Sequence, residues 1–110
     1  MEKVTLFNFE NSNIKISIKI YFNENDQLRL DGYDIGKSAE GVLGGSDYEY
    51  MYAIEPVEVN KFYKIFNLED GDKSGLLQAI KKDFSVNKAY SLFGAFMLAH
   101  NIKHERFTWS

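Results

Sequence analysis

Residues 14–22 read IKISIKIYF, with isoleucine at 14, 16, 18 and 20 and lysine or serine at 15, 17 and 19. A repeat of two fits extended chain and no helix, because successive side chains in a strand point to opposite faces. Isoleucine, branched at Cβ, is stiff in a helix and packs well on a pleated surface. One apolar face against one charged face is the pattern of an antiparallel sheet that turns one side to a core and the other to water. The stretch therefore demands a second layer to cover the isoleucines, and the remaining chain has to supply it.

Upstream, Val4, Leu6, Phe7 and Phe9 predict a first strand, and Glu10–Asn13 is a polar break of the kind that closes a hairpin. Asn23–Asp26 is a second turn, after which QLRLDGYDI resumes extended chain with Leu28 and Leu30 inward. Residues 36–43 read as one or two helical turns ended by Gly44 and Gly45. In the strand that follows, Tyr48, Tyr50, Tyr52 and Ile54 share one side, and Asp47, Glu49, Met51 and Ala53 the other.

At Pro56 the period changes. Proline suits a first helical position, and Val59, Phe62, Tyr63 and Phe66 recur at helical spacing. NLEDGDKSG is a loop, and Leu76, Leu77, Ile80 and Phe84 mark a second helix. Asn87 is placed to cap a third, with a stripe of Ala89, Leu92, Phe93, Phe96 and His100 and a stop at Asn101. Ile102–Trp109 is a closing strand. Strands grouped first and helices grouped later indicate an α+β fold: a mostly antiparallel sheet of about five strands with helices on one face. No repeat or linker interrupts it, so residues 1–110 form one domain.

With 45% hydrophobic residues the chain has ample material for a core. It has no cysteine, which removes disulfides, a thiol nucleophile and thiolate metal sites. Its first residues carry no apolar signal core, and no run approaches the roughly 20 apolar residues of a membrane span. The expectation is a cytoplasmic protein that does not enter a membrane. Charge is uneven: residues 24–58 hold nine acids against Arg29 and Lys37, whereas residues 59–110 hold five acids against eight bases. The acidic third would repel nucleic-acid phosphates and would suit a basic protein partner.

The catalytic and metal motifs fail on spacing. Gly36–Lys37–Ser38 resembles the end of a phosphate-binding loop, but the glycine needed five residues earlier is Asp31. His100 and His104 lack the glutamate between them that a zinc-protease helix carries, and His100 falls on the apolar stripe as a core histidine. NLEDGDKSG lacks the ligand spacing of a calcium loop. Asp47 and Glu49 share a strand face but have no nucleophile or third group beside them. No catalytic residue, metal or cofactor is expected. The tyrosines fit either a core with hydroxyls reaching its rim or an interface, since aromatics among acids are what protein contacts use.

The pattern Leu28-x-Leu30-x-Gly32-x-Asp34-Ile35-Gly36, followed by Asp47-Tyr48-Glu49-Tyr50 and by Trp109, resembles a family of small bacterial proteins of toxin–immunity loci. The resemblance spans residues 28–109, and Val42–Leu43 depart from it where the family carries an aromatic residue. It implies a non-enzymatic immunity protein that binds and blocks a toxin domain. With the charge map, it points to Asp31, Tyr33, Asp34, Asp47, Tyr48, Glu49 and Tyr50 as partner-binding residues. Two other readings stay open. One is a small-molecule or enzymatic pocket between sheet and helices, ringed by Asp34, Tyr48 and Glu49. The other is a homo-oligomer paired through Ile102–Trp109. Asp34 could instead cap the short helical piece, and Gly32 and Gly36 could serve backbone freedom alone.

Overall fold

A computed structural model describes residues 2–37 and 43–109. The chain runs β1 (Lys3–Glu10), β2 (Ile14–Phe22), β3 (Leu28–Lys37), β4 (Leu43–Ile54), α1 (Pro56–Ile65), α2 (Lys73–Phe84), α3 (Ala89–Ala99) and β5 (Glu105–Trp109). The strands form one sheet in the order β1-β2-β3-β4-β5, every neighbouring pair antiparallel. This is the expected α+β arrangement, with the helices inserted between the fourth and fifth strands.

Asparagines set the two hairpin turns. Asn11 Oδ1 accepts from the Asn13 and Ile14 amides at 2.8 and 2.9 Å. Asn23 Oδ1 accepts from the Asn25 and Gln27 amides, each at 3.0 Å. Side-chain carbonyls of this kind replace backbone acceptors in tight turns. The non-glycine residues with positive φ are Asp26, Asn67 and Asn101, types that tolerate the left-handed region. The last two stop the chain after α1 and α3.

Cross-strand register makes the layers. Ile16, Ile18, Ile20 and Phe22 pair with Asp34, Gly32, Leu30 and Leu28, and these with Tyr48, Tyr50, Tyr52 and Ile54. On this inner face Ile18, Ile20, Leu28, Leu30 and Ile54 are fully buried. The helices lay Phe62, Tyr63, Leu76, Ile80, Phe93 and Met97 over them. Phe93 is the keystone: it stacks on Phe62 at 5.6 Å and meets Phe84 edge-on at 5.3 Å.

Several local expectations change. Gly36, Lys37 and Leu43 are strand rather than helix, and Gly44 and Gly45 lie within β4 at a register shift, where the pairing with β3 passes from Ser46 to Leu43. Residues 38–42 of the expected helical piece lie outside the described residues. Asp34 sits inside β3 and caps nothing. The loop after α1 is shorter than expected, because Asp72 caps α2 by accepting from the Gly75 amide at 2.9 Å. Lys88, not Asn87, precedes α3, without a side-chain cap. The buried stripe of α3 is Ala89, Phe93, Gly94 and Met97, while Leu92 and His100 are exposed. The sequence AYSLFGAFMLA carries no charge, so its period admits two adjacent apolar stripes, and Phe93 between Phe62 and Phe84 decides which faces in.

Candidate functional site

All seven expected binding residues lie on β3 and β4, which pair across adjacent rows: Asp31 with Met51, Gly32 with Tyr50, Tyr33 with Glu49, Asp34 with Tyr48 and Ile35 with Asp47. Register thus brings them together along the chain. Alternation then divides them, because neighbours in a strand face opposite ways. Asp31, Tyr33, Asp47 and Glu49 lie on the outer face, away from the helices; Asp34, Tyr48 and Tyr50 lie on the helix side.

The outer face has no covering layer among the described residues, and it is not purely acidic. β1 and β2 bring Lys3, Lys15 and Lys19 to the same face, and β3 brings Arg29. The acids concentrate at the opposite half, where Asp47, Glu49 and Glu105 sit on β4 and β5. Asp31 lies between the halves. It accepts a 2.6 Å hydrogen bond from the Tyr21 hydroxyl and faces Arg29 at 3.5 Å. Burial first, and then that bond to Asp31, pushes the Tyr21 hydroxyl up from 10.0 to about 12. Lys3 lies over the Tyr21 ring, 4.5 Å from its centroid. Trp109 Nε1 donates to Glu49 at 2.6 Å, so the tryptophan lies against the carboxylate and half its surface stays exposed. Between these groups a hollow of about 270 Å³ opens over Ser17, Lys19, Asp31, Tyr33, Glu49 and Met51.

The inner side carries a run of rings beside the core. Tyr48 and Tyr50 are 5.6 Å apart, Tyr50 and Tyr90 4.8 Å, and Tyr90 stacks on Tyr52 at 4.2 Å and 11°. His104 meets Tyr52 edge-on at 5.2 Å. The Tyr50 hydroxyl donates to Asp34 at 2.9 Å, and burial followed by that contact raises the Tyr50 hydroxyl well above its usual range. Tyr90 is raised too, by burial and then by Tyr52 beside it. Neither hydroxyl is poised to ionise near neutrality.

Both histidines have ordinary structural settings. His100 follows α3 and is exposed, its ring 4.4 Å from that of Phe96, which corrects the expected core position. His104 Nδ1 lies 2.9 Å from the Ile102 carbonyl. Among the described residues no group of three or more histidines and acids could hold a metal ion, and no helix is long and apolar enough to cross a membrane.

Sequence reasoning missed Tyr21, Arg29 and Arg106. Parity could have found Arg29, which shares the wet face of β3 with Asp31. Tyr90 and Arg106 reach Tyr52 only through tertiary packing, and no local signal announces that. No family model, curated protein or solved structure matches this chain.

Proposed function

We propose that this protein is a non-enzymatic binding protein that engages a protein partner through the open outer face of its sheet. The observation that carries the reading is a five-stranded sheet packed on one side only, whose other side mixes Tyr33, Phe107 and Trp109 with ordered carboxylates. Rigid aromatics beside charges are the composition of protein contacts. The half of the face around Asp47 and Glu49 would take a basic patch on the partner, and the toxin domain of an immunity pair is one such partner. Against a ligand pocket enclosed between sheet and helices stands the interior itself; the hollows on the helix side, beside Tyr48, Tyr90 and Arg106, lie at its rim and open to solvent. The interior is filled by one apolar cluster from Val4 to Ile102, and Ser17, the buried polar side chain among the described residues, lies on the outer face.

The test is an on-rate. A partner captured with the wild-type protein is identified, and its association is measured at low salt against the Asp47→Lys and Glu49→Lys double variant. Steered association falls by about tenfold or more when the attracting charge is reversed. An unchanged on-rate removes the proposal.

A further inference from the structure

The sheet has two edges, and they are built differently. β1 carries a register shift between Thr5 and Phe7, a bulge of the kind that blunts an edge against further pairing. β5 pairs with β4 in unbroken register from Glu105 to Trp109, has no neighbouring strand on its other side among the described residues, and is exposed at every residue. Its backbone groups on that side are an open template for one more strand.

β5 also extends the sheet past the cover of the helices. α3 lies over β4, where the Tyr52 hydroxyl packs against Gly94. Beyond it, a trough runs along α3, and Arg106 on the inner side of β5 lines its middle. Three hollows make up that trough. One of about 320 Å³ lies by Asp34 and Lys88, one of about 540 Å³ between Ser91 and Arg106, and one of about 600 Å³ between Leu98 and Lys103. The first two share Tyr90 and Ser91, and the last two share Leu98 and His104. The wall is a helix without a charged residue, on which Leu98 is 73% exposed.

The charges of the trough are one-sided. Lys88, Lys103 and Arg106 line it, and its one acid, Asp34, already accepts from Tyr50. Arg106 stands opposite Tyr52 and has no ion pair among the described residues. An unpaired guanidinium beside stacked rings is a fork ready for a carboxylate.

We infer that β5 and this trough receive an extended segment of a partner protein as a sixth strand, one in which acidic and apolar residues face the trough. Strand spacing of about 4.8 Å sets the new chain beside β5 and drops every second side chain into the trough. A carboxylate there meets Arg106, and an apolar side chain about two residues away covers Leu98. A second copy of β5 fits worse. Antiparallel self-pairing centred on Phe107 puts Arg106 opposite Thr108 of the second copy, and pairing centred on Arg106 puts two guanidinium groups together. Neither supplies a carboxylate. This docking site is separate from the outer face and does not rest on the reading given for it.

The test uses a fluorescein-labelled peptide of about seven residues, threonine at the odd positions and glutamate, valine and glutamate at the even ones so that acid and valine share a face, and a counterpart with lysine for glutamate, each read by anisotropy. Wild-type protein is expected to bind the acidic peptide at least about tenfold more tightly. Arg106→Glu should reverse the order, and Leu98→Ser should weaken both, with circular dichroism unchanged. If Arg106→Glu does not fold, Arg106→Gln should still erase the preference. Asp47→Lys, whose side chain lies on the outer face away from β5, should leave peptide binding as it is, which separates this site from the outer face. No binding up to about 1 mM, equal binding of the two peptides, or acidic-peptide binding untouched by either Arg106 variant overturns the inference. A sedimentation dimer dissolved by Arg106→Glu does so too, because the occupant is then a second copy.

Discussion

Gly32 lies on the inner face of β3, directly opposite Tyr50, and the tyrosine ring lies across it. A Cβ at position 32 would stand 2.0 Å from Tyr50 Cε2, 2.6 Å from Cζ and 2.7 Å from Cδ2. No such contact is possible, so Gly32→Ala must expel the ring. Moving the ring disturbs its neighbours, since Tyr48 and Tyr90 flank it and Asp34 holds its hydroxyl. Overpacking of this kind costs about 1–3 kcal/mol, and loss of a hydrogen bond to a carboxylate adds about 1.5 kcal/mol. Against this, replacing glycine inside a strand gains about 0.5–1 kcal/mol when nothing else changes. The net expectation is a loss of about 2–3 kcal/mol, read from urea midpoints at constant slope. The sign makes the experiment decisive. In a Tyr50→Val background the clashing atoms are gone, and Gly32→Ala should become neutral or stabilising. The cycle should give a coupling of about 2 kcal/mol or more. If Gly32→Ala is as stable as wild type, or costs the same in both backgrounds, then space under the Tyr50 ring is not what position 32 provides.

Alkaline pH should weaken the fold. Burial and Asp31 hold the Tyr21 proton to about 12, and Tyr50 and Tyr90 are raised as well, so the folded protein keeps protons that the unfolded chain releases above 10.0. That stability is fully present below the unfolded value and is lost as pH rises through the folded one; urea midpoints should be flat to about pH 9 and fall toward pH 12, less steeply in Tyr21→Phe. Asp72→Ala removes the acceptor for the Gly75 amide at the start of α2 and should cost about 1 kcal/mol in thermal or urea unfolding. Trp109 is the single tryptophan, so Glu49→Gln should change its emission at once if the 2.6 Å contact persists in solution, and an unaltered spectrum would mean that the indole lies free.

Much of the architecture was legible because it follows from period. The alternation of 14–22 fixes which side of β2 is wet, and Val59, Phe62 and Tyr63 or Leu76, Leu77 and Ile80 suffice to place α1 and α2 on the other. Period failed where it was degenerate. In α3, apolar on every side, only the contact of Phe93 with Phe62 and Phe84 selects the inward stripe. The pair Gly44 and Gly45 suggests the end of an element, whereas it lies within β4 and marks a break in the pairing with β3. At Gly32 backbone freedom was the wrong reason for the right residue, since the requirement is room for a ring two strands' worth of sequence away. The candidate site was legible in position but not in shape. Nine acids over residues 24–58 are a fact about the chain, whereas the lysines beside them on the sheet arrive from β1 and β2 through pairing.

That difference bears on how this protein can recognise anything. A run such as Asp47-Tyr48-Glu49-Tyr50 cannot form one epitope in a strand, because Asp47 and Glu49 are separated from Tyr48 and Tyr50 by the thickness of the sheet. A binding surface has to be assembled across strands instead, row by row. On the outer side the row Ser17, Tyr33, Glu49, Trp109 crosses from a basic half to an acidic one. On the inner side the row Leu30, Tyr52, Arg106 leaves the core and ends on an uncovered cation at the sheet edge. β4 and β5 contribute to both, with Glu49 and Trp109 facing out and Tyr52 and Arg106 facing in. The two surfaces therefore stand back to back on the same two strands.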